Sequence, residues 1–190
     1  MFYLLLGLVF FVGIHLFSMV MPVQRDGLKL RVGEGPFKGI FLLISLMGLG
    51  LIVAGYRNLS SGPAAGDLLY EPAAGMRHVA MLLVLLAFIS VSASHGKGYL
   101  KLWLRQPMSI GFALWAFGHL LANGERHGVY LFGSILVLAL LDIILSTVRG
   151  KVPGHEPRVR SDIVAVVAGT VLYAIFLFGF HPYVLHVPII

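Results

Sequence analysis

The sequence contains no cysteine, and only 12% of its 190 residues are charged, about half the usual share of a soluble domain. The missing cysteine excludes disulfide bonds, thiolate metal ligands, a cysteine nucleophile and any thioether-linked prosthetic group. Soluble-type catalysis is not indicated either, since there is no phosphate-binding loop, nucleophile elbow, H-E-x-x-H motif or paired-carboxylate site. The net charge of +6 does not indicate nucleic acid, because the basic residues lie in short segments between apolar runs.

Long apolar runs dominate what the sequence does contain, with 58% hydrophobic residues and a mean hydropathy of +0.93. A lipid-spanning helix needs about 20 apolar residues in a row, and such runs recur along the whole chain. We therefore predict an all-α, polytopic membrane helix bundle with about six transmembrane helices, forming a single transmembrane domain over residues 1–190. The predicted spans are Phe2–Met21, Phe37–Tyr56, Gly75–Ser94, Pro107–Ala122, Val129–Val148 and Ile163–Tyr183.

The fourth span is short. Pro107 suits the first turn of a helix, and Asn123-Gly124 is typical of a helix end. Either this span lies in a thin part of the bilayer, or it starts earlier, near Leu100. The first run has no basic n-region and no small-residue cleavage site, so it is interpreted as a retained helix rather than a signal peptide.

Basic residues alternate between the connecting segments. The first, third and fifth segments hold eleven of the fourteen Lys and Arg residues. The positive-inside rule places these three segments in the cytoplasm and both termini outside, as in a multi-pass protein of a bacterial inner (cytoplasmic) membrane. The segment from Gly62 to Ala74 is then an outer loop.

Helix contacts in lipid favour small residues, because lipid gives helices no hydrophobic reason to associate. Three pairs have the small-xxx-small spacing, namely Gly50 with Ala54, Gly118 with Ala122, and Ala165 with Gly169. We expect these pairs to lie at helix contacts.

Two histidines lie inside the predicted spans, where polar groups are costly and indicate function. His15 lies roughly 20 Å deep and His119 roughly 10–15 Å below the outer surface, at 1.5 Å per residue. Two imidazoles at similar depth on different helices could hold one flat metal macrocycle, such as haem, from both faces. Phe112, Trp115 and Ala116 share one side of the fourth helix with His119 and could form the wall of such a site. The alternative is that each histidine hydrogen-bonds to a serine, a backbone carbonyl or water.

Other polar residues offer weaker signals. A second possible metal site, for copper or zinc, would use the four histidines expected near the outer face, which are His78, His127, His181 and His186; interfacial histidines beside lipid headgroups are the alternative. Asp142 in the fifth span could relay protons or anchor a substrate, although pairing with a basic helix end, Arg105 or Arg149, is the favoured interpretation.

Several stretches together resemble a known family. They are Gly13-Ile14-His15-Leu16, Gly33–Gly39 (GEGPFKG), Gly55-Tyr56-Arg57, Gly111–Gly124 (GFALWAFGHLLANG), and the end from Asp162 through Ala168-Gly169 to His181-Pro182. With these stretches the chain resembles the NnrU family of bacterial membrane proteins over nearly its full length, and the GFALW…GHLLANG stretch is the most specific.

The resemblance implies a link to denitrification, where NnrU proteins are needed for nitrite or nitric oxide reduction in some bacteria. The family is also similar to 15-cis-zeta-carotene isomerase, a membrane enzyme with haem b and histidine axial ligands. The positions that match its ligand histidines are His15 and His119. One departure is Arg105-Gln106-Pro107, where family members commonly have Arg-His-Pro, so any role of that histidine is missing here.

Three functions follow as hypotheses. The first is a haem-b-binding membrane protein with an accessory or redox role in nitrogen-oxide metabolism. The second is a haem-dependent cis–trans isomerase of a carotenoid or another polyene lipid, which would bind a hydrophobic small molecule. The third is a transport or assembly factor for a metal, haem or a small solute, but no inverted repeat or pair of broken helices supports alternating access.

Overall fold

A computed structural model describes residues 1–186, with the side chains of residues 64 and 65 excepted. These residues form helices joined by short connections. In chain order the helices are α1 (Phe2–Val20), α2 (Pro22–Val32), α3 (Glu34–Ser60), α4 (Met76–Ser94), α5 (Tyr99–Leu104), α6 (Pro107–Ala122), α7 (Arg126–Val148), α8 (Val159–Ile175) and a closing π-helix, Phe176–Leu185.

The predicted all-α, polytopic class is confirmed. By length and composition, α1, α3, α4, α7 and the joined α8 and π-helix can each cross a membrane. One further apolar helix, α6, has only 16 residues and is shorter than these five. The chain forms two compact units, an N-terminal unit of residues 1–65 and a C-terminal unit of residues 66–190.

An earlier start of the fourth span, near Leu100, is wrong, because the chain breaks between α5 and α6. Arg105 there has a φ of 61°, and Gln106, with a φ of −128° and a ψ of 60°, is not helical. The ring of Pro107 disfavours helical backbone at the preceding residue and supplies no N–H for a helix to continue through. As expected, Pro107 lies in the first turn of α6, and Asn123 ends that helix.

Glycines bring α1 and α3 close together in the N-terminal unit. A Cβ added at Gly48 would lie 2.8 Å from the Phe11 backbone nitrogen, and one at Gly55 would lie 2.5 Å from that of Leu4. The expected contact at Gly50 and Ala54 is wrong, since a Cβ at Gly50 meets nothing within 4 Å among the described residues. The spacing pointed to the wrong face of α3, because glycines occur on both faces.

The first basic segment is a helix, α2, rather than a loop. Pro22 begins it, and Gly33, with a φ of 88°, allows the turn into α3. Asp26 pairs with Arg25 at 2.8 Å and with Lys29 at 3.6 Å.

Helix α4 packs on both α6 and α8 in the C-terminal unit, and α6 also packs on α7. The predicted small-residue contacts at Gly118, Ala165 and Gly169 are confirmed here. A Cβ at Gly118 would lie 3.2 Å from the Ala80 carbonyl oxygen, and one at Gly169 would lie 2.6 Å from the Ile89 Cα; Ala165 is buried.

The closing π-helix has wider turns than an α-helix, with bonds from residue i to residue i−5. Pro182 lies inside it. Proline has no N–H and its ring clashes with the carbonyl four residues earlier, so the wider turn accommodates a residue that an α-helix would not.

Candidate functional site

His119 lies on α6 among aromatic rings. Its ring stacks on Phe132 of α7, with centroids 4.4 Å apart and planes 27° apart, and it also contacts Trp115 at 4.8 Å. The Nδ1 atom lies 2.8 Å from the Trp115 carbonyl oxygen. Because a carbonyl can only accept, Nδ1 carries the proton, and the neutral ring keeps a lone pair on Nε2.

His181 has the same arrangement on the π-helix. Its Nδ1 lies 2.8 Å from the carbonyl oxygen of Phe176, five residues earlier. Nε2 is therefore again the atom with the lone pair. The edge of the ring meets Phe180, with centroids 6.1 Å apart.

The structure brings these two histidines together. The ring centroids of His119 and His181 are 6.2 Å apart, and the ring planes differ by only 12°. Both side chains are half-buried. Within the part of the chain that the structure describes, neither Nε2 atom has a hydrogen-bond partner.

His15 belongs to the N-terminal unit, so it is described with its own neighbours. It lies on α1 between Phe11, at 4.4 Å, and Phe41, at 5.0 Å between centroids. Its Nδ1 is 2.7 Å from the Phe11 carbonyl oxygen. Its Nε2 therefore also keeps the lone pair.

The residues expected beside His119 divide into three environments. Trp115 contacts the imidazole directly. Ala116 is completely buried and serves packing, whereas Phe112 is 43% exposed. The wall predicted from helix spacing is therefore formed by Trp115 together with Phe132, which spacing within α6 cannot identify.

The end of α6 beside His119 is fixed by hydrogen bonds. The His119 carbonyl accepts from the backbone N–H of Asn123 and from its side-chain Nδ2, both at 2.8 Å. The Tyr70 hydroxyl donates to the carbonyls of Asn123, at 2.9 Å, and Leu120. These bonds give Asn123 a structural role at the end of this helix.

The loop that carries Tyr70 is tied to the turn between α6 and α7. Asp67 and Arg126 form an ion pair at 2.7 Å, and the Leu69 N–H donates to the Gly124 carbonyl at 2.8 Å. The bond to Arg126 lowers the pKa of the Asp67 carboxyl below its usual value.

Asp142 has hydroxyl partners instead of the expected pairing with Arg105 or Arg149. Ser109 of α6 donates to one of its oxygens, and Ser146 lies 3.5 Å from the other. The Ser109 hydroxyl of the neighbouring helix and the Ser146 hydroxyl of the same helix satisfy the carboxyl group, so a basic helix end is not needed.

The four outer histidines do not form a copper or zinc site. No group of three or more His, Asp or Glu side chains able to share a metal ion occurs in residues 1–186. His127 is buried at the start of α7, whereas His78 is exposed at the start of α4.

A groove of about 430 Å³ lies against the same end of α6. Its lining is almost wholly apolar, apart from Tyr70 and Glu71, and includes Met76, Phe117 and Leu120. A groove of this chemistry could hold an acyl or polyene chain.

Sequence reasoning missed the partners of His119. Phe132 was not singled out, and His181 was placed in a different possible site. The His181-Pro182 pair after an aromatic run was an available signal, because proline in an apolar helix often marks an irregular turn.

These elements define a polytopic, helical membrane protein with an aromatic-walled pair of imidazoles near one helix end. A comparison with protein families then identifies it further. The chain belongs to the NnrU family, whose model matches residues 3–189 under the description "NnrU protein". Searches of curated proteins and of solved structures found no match.

Proposed function

We propose that this protein binds haem b in the bacterial inner membrane, with His119 as the residue that would hold the iron, and has an accessory or redox role in denitrification. The observation that carries the proposal is the imidazole of His119. Its Nδ1 is held by a backbone carbonyl, and its Nε2 lone pair lies in aromatic surroundings. A hydrogen bond to the second ring nitrogen is what orients and strengthens a histidine ligand.

The residues present fit the group. Haem iron accepts imidazole ligands, and apolar aromatic rings suit a porphyrin. Trp115 and Phe132 supply such rings beside His119. Bound haem b would supply one-electron chemistry, while the protein orients the ligand and keeps its surroundings apolar.

Two histidines could supply the second ligand. His15, which family resemblance points to, and His181 both have Nδ1 bonded to a backbone carbonyl of the same helix. A bis-histidine pair would give a low-spin centre suited to electron transfer.

The optical spectrum of protein purified in detergent from haem-sufficient cells tests the proposal. We expect a red protein with one haem b per chain and a low-spin spectrum, and His119→Ala should lose most of the colour. His155→Ala is the matched control, because His155 lies in the segment between α7 and α8 and bonds the Gly98 carbonyl. Colourless wild-type protein would contradict the proposal.

A cis–trans isomerase of a polyene lipid is the second candidate. The apolar groove beside the end of α6 supports it, since Leu120 and Phe117 of the groove adjoin His119 in sequence. Activity on a tri-cis polyene in reduced membranes, lost in Phe117→Trp, would favour this function over the first.

A further inference from the structure

We propose that His119 and His181 bind one metal centre together, so that His181 rather than His15 is the axial partner of His119. This inference rests on the proposed function, because it names the second ligand of the same haem. It depends on a juxtaposition that the sequence does not reveal, since the two residues are on different helices and 62 positions apart.

The spacing of the two rings fits shared ligation. A histidine nitrogen lies about 2.0–2.1 Å from a bound metal, so two imidazoles whose Nε2 atoms face one ion from opposite sides have centroids about 6.3 Å apart. The centroids of His119 and His181 are 6.2 Å apart.

The two rings also carry their proton on the same nitrogen, Nδ1. Backbone carbonyls of Trp115 and Phe176 hold the two Nδ1 atoms, both at 2.8 Å. Each ring therefore has Nε2 available as the ligand atom, and neither has to change tautomer.

The π-helix accounts for the position of His181. The bond from its Nδ1 reaches the carbonyl five residues earlier, which is the period of a π-helix. Pro182 removes an N–H that a tighter α-helix would use. Wide turns of this kind occur frequently at functional sites.

Contacts between phenylalanine rings hold the π-helix in place. Phe176 contacts Phe88 of α4 at 5.1 Å and Phe180 at 5.1 Å between centroids. The first of these contacts ties the residue whose carbonyl holds His181 to the helix that packs on α6. The ligand pair therefore belongs to one packed unit.

Haemin titration of the detergent-purified full chain, with optical and EPR spectra, tests the inference. We expect His181→Ala to change the low-spin haem to a high-spin form and to raise the dissociation constant for haemin about tenfold or more. Free imidazole should restore the low-spin spectrum. His181→Met should keep a six-coordinate haem at a higher reduction potential, because a thioether ligand raises the potential, and a merely structural role of His181 predicts no such change.

His186→Ala is the comparison variant, and we expect it to keep the wild-type spectrum. His15→Ala decides between the two candidate ligands, and the pairing of His119 with His181 predicts a low-spin haem in this variant. A high-spin haem in His15→Ala with an unchanged spectrum in His181→Ala would overturn the pairing and leave the proposed function standing. Wild-type protein that binds no stoichiometric haemin would overturn both. Circular dichroism and size-exclusion profiles of each variant identify any that fails to fold.

Discussion

Ser109 of α6 donates a hydrogen bond to the carboxyl group of Asp142 on α7. This bond links two apolar helices in the C-terminal unit. Hydrogen bonds between helices in a membrane contribute about 0.6 kcal/mol on average and up to about 1.7 kcal/mol.

Removal of this bond should loosen α6 from α7. We expect Ser109→Ala to lower the free energy of unfolding by about 0.6–1.7 kcal/mol, measured by unfolding in mixed detergent. Ser134→Ala is the matched control, because the Ser134 hydroxyl bonds only the Tyr130 carbonyl of its own helix, at 2.6 Å. Equal losses in the two variants would show that the bond to Asp142 has no special role.

Close packing of α1 on α3 gives a second prediction. Gly48→Ala should destabilise the N-terminal unit by about 1–3 kcal/mol, the usual cost of overpacking, because the new Cβ would lie 2.8 Å from a backbone nitrogen of α1. Gly50→Ala, on the same helix, makes no close contact with described residues and should be neutral or slightly stabilising. Thermal unfolding of both variants makes the comparison, and a Gly50→Ala variant that is the less stable would refute it.

Asp162 of α8 stabilises the start of α5. Its carboxyl oxygens accept from the backbone N–H groups of Tyr99, at 2.8 Å, and Leu100, at 3.1 Å. Loss of a helix-capping carboxylate costs about 0.5–2 kcal/mol, so Asp162→Ala should make these two amides exchange hydrogen faster. Asp162→Asn keeps an acceptor oxygen and should show a smaller change. Unaltered exchange in both variants would argue against this role.

The ion pair of Asp67 and Arg126 predicts a dependence on pH. The hydrogen bond from Arg126 lowers the pKa of Asp67 in the folded state. The ion pair therefore stabilises the fold at neutral pH, and this contribution is lost as the pH falls below the usual aspartate range and through the lowered pKa. The melting temperature of wild type should exceed that of Asp67→Asn at pH 7, and the difference should shrink in acid. A difference that grows in acid would have the wrong sign.

Hydropathy was sufficient to predict the membrane class and most of the helices. An apolar run as long as that of α7 is long enough to span the hydrocarbon of a bilayer, so the position of this helix in the sequence can be predicted from composition alone. The ends were less predictable, and the break at Arg105 depended on the local geometry before Pro107. The helix α2 was missed because its apolar residues alternate with charges in a short segment.

The candidate site was only partly predictable. His119 could be singled out, because an imidazole in an apolar run is costly and conspicuous. His181 could not be assigned to it, since the approach of its ring to that of His119 depends on the packing of α4 against both α6 and α8. The hydroxyl partners of Asp142 escaped prediction for the same reason.

The 16 residues of α6 extend over only about 24 Å, less than the roughly 30 Å of hydrocarbon in a typical bilayer. One way in which a membrane accommodates such hydrophobic mismatch is local thinning of the lipid around the helix. Such thinning would shorten the distance from the headgroups to His119, which lies one turn before the helix end. The layer of hydrocarbon between this imidazole and the aqueous phase would therefore be thinner than it is around a helix of full length. A soluble electron donor or a water molecule would come closer to His119 as a result.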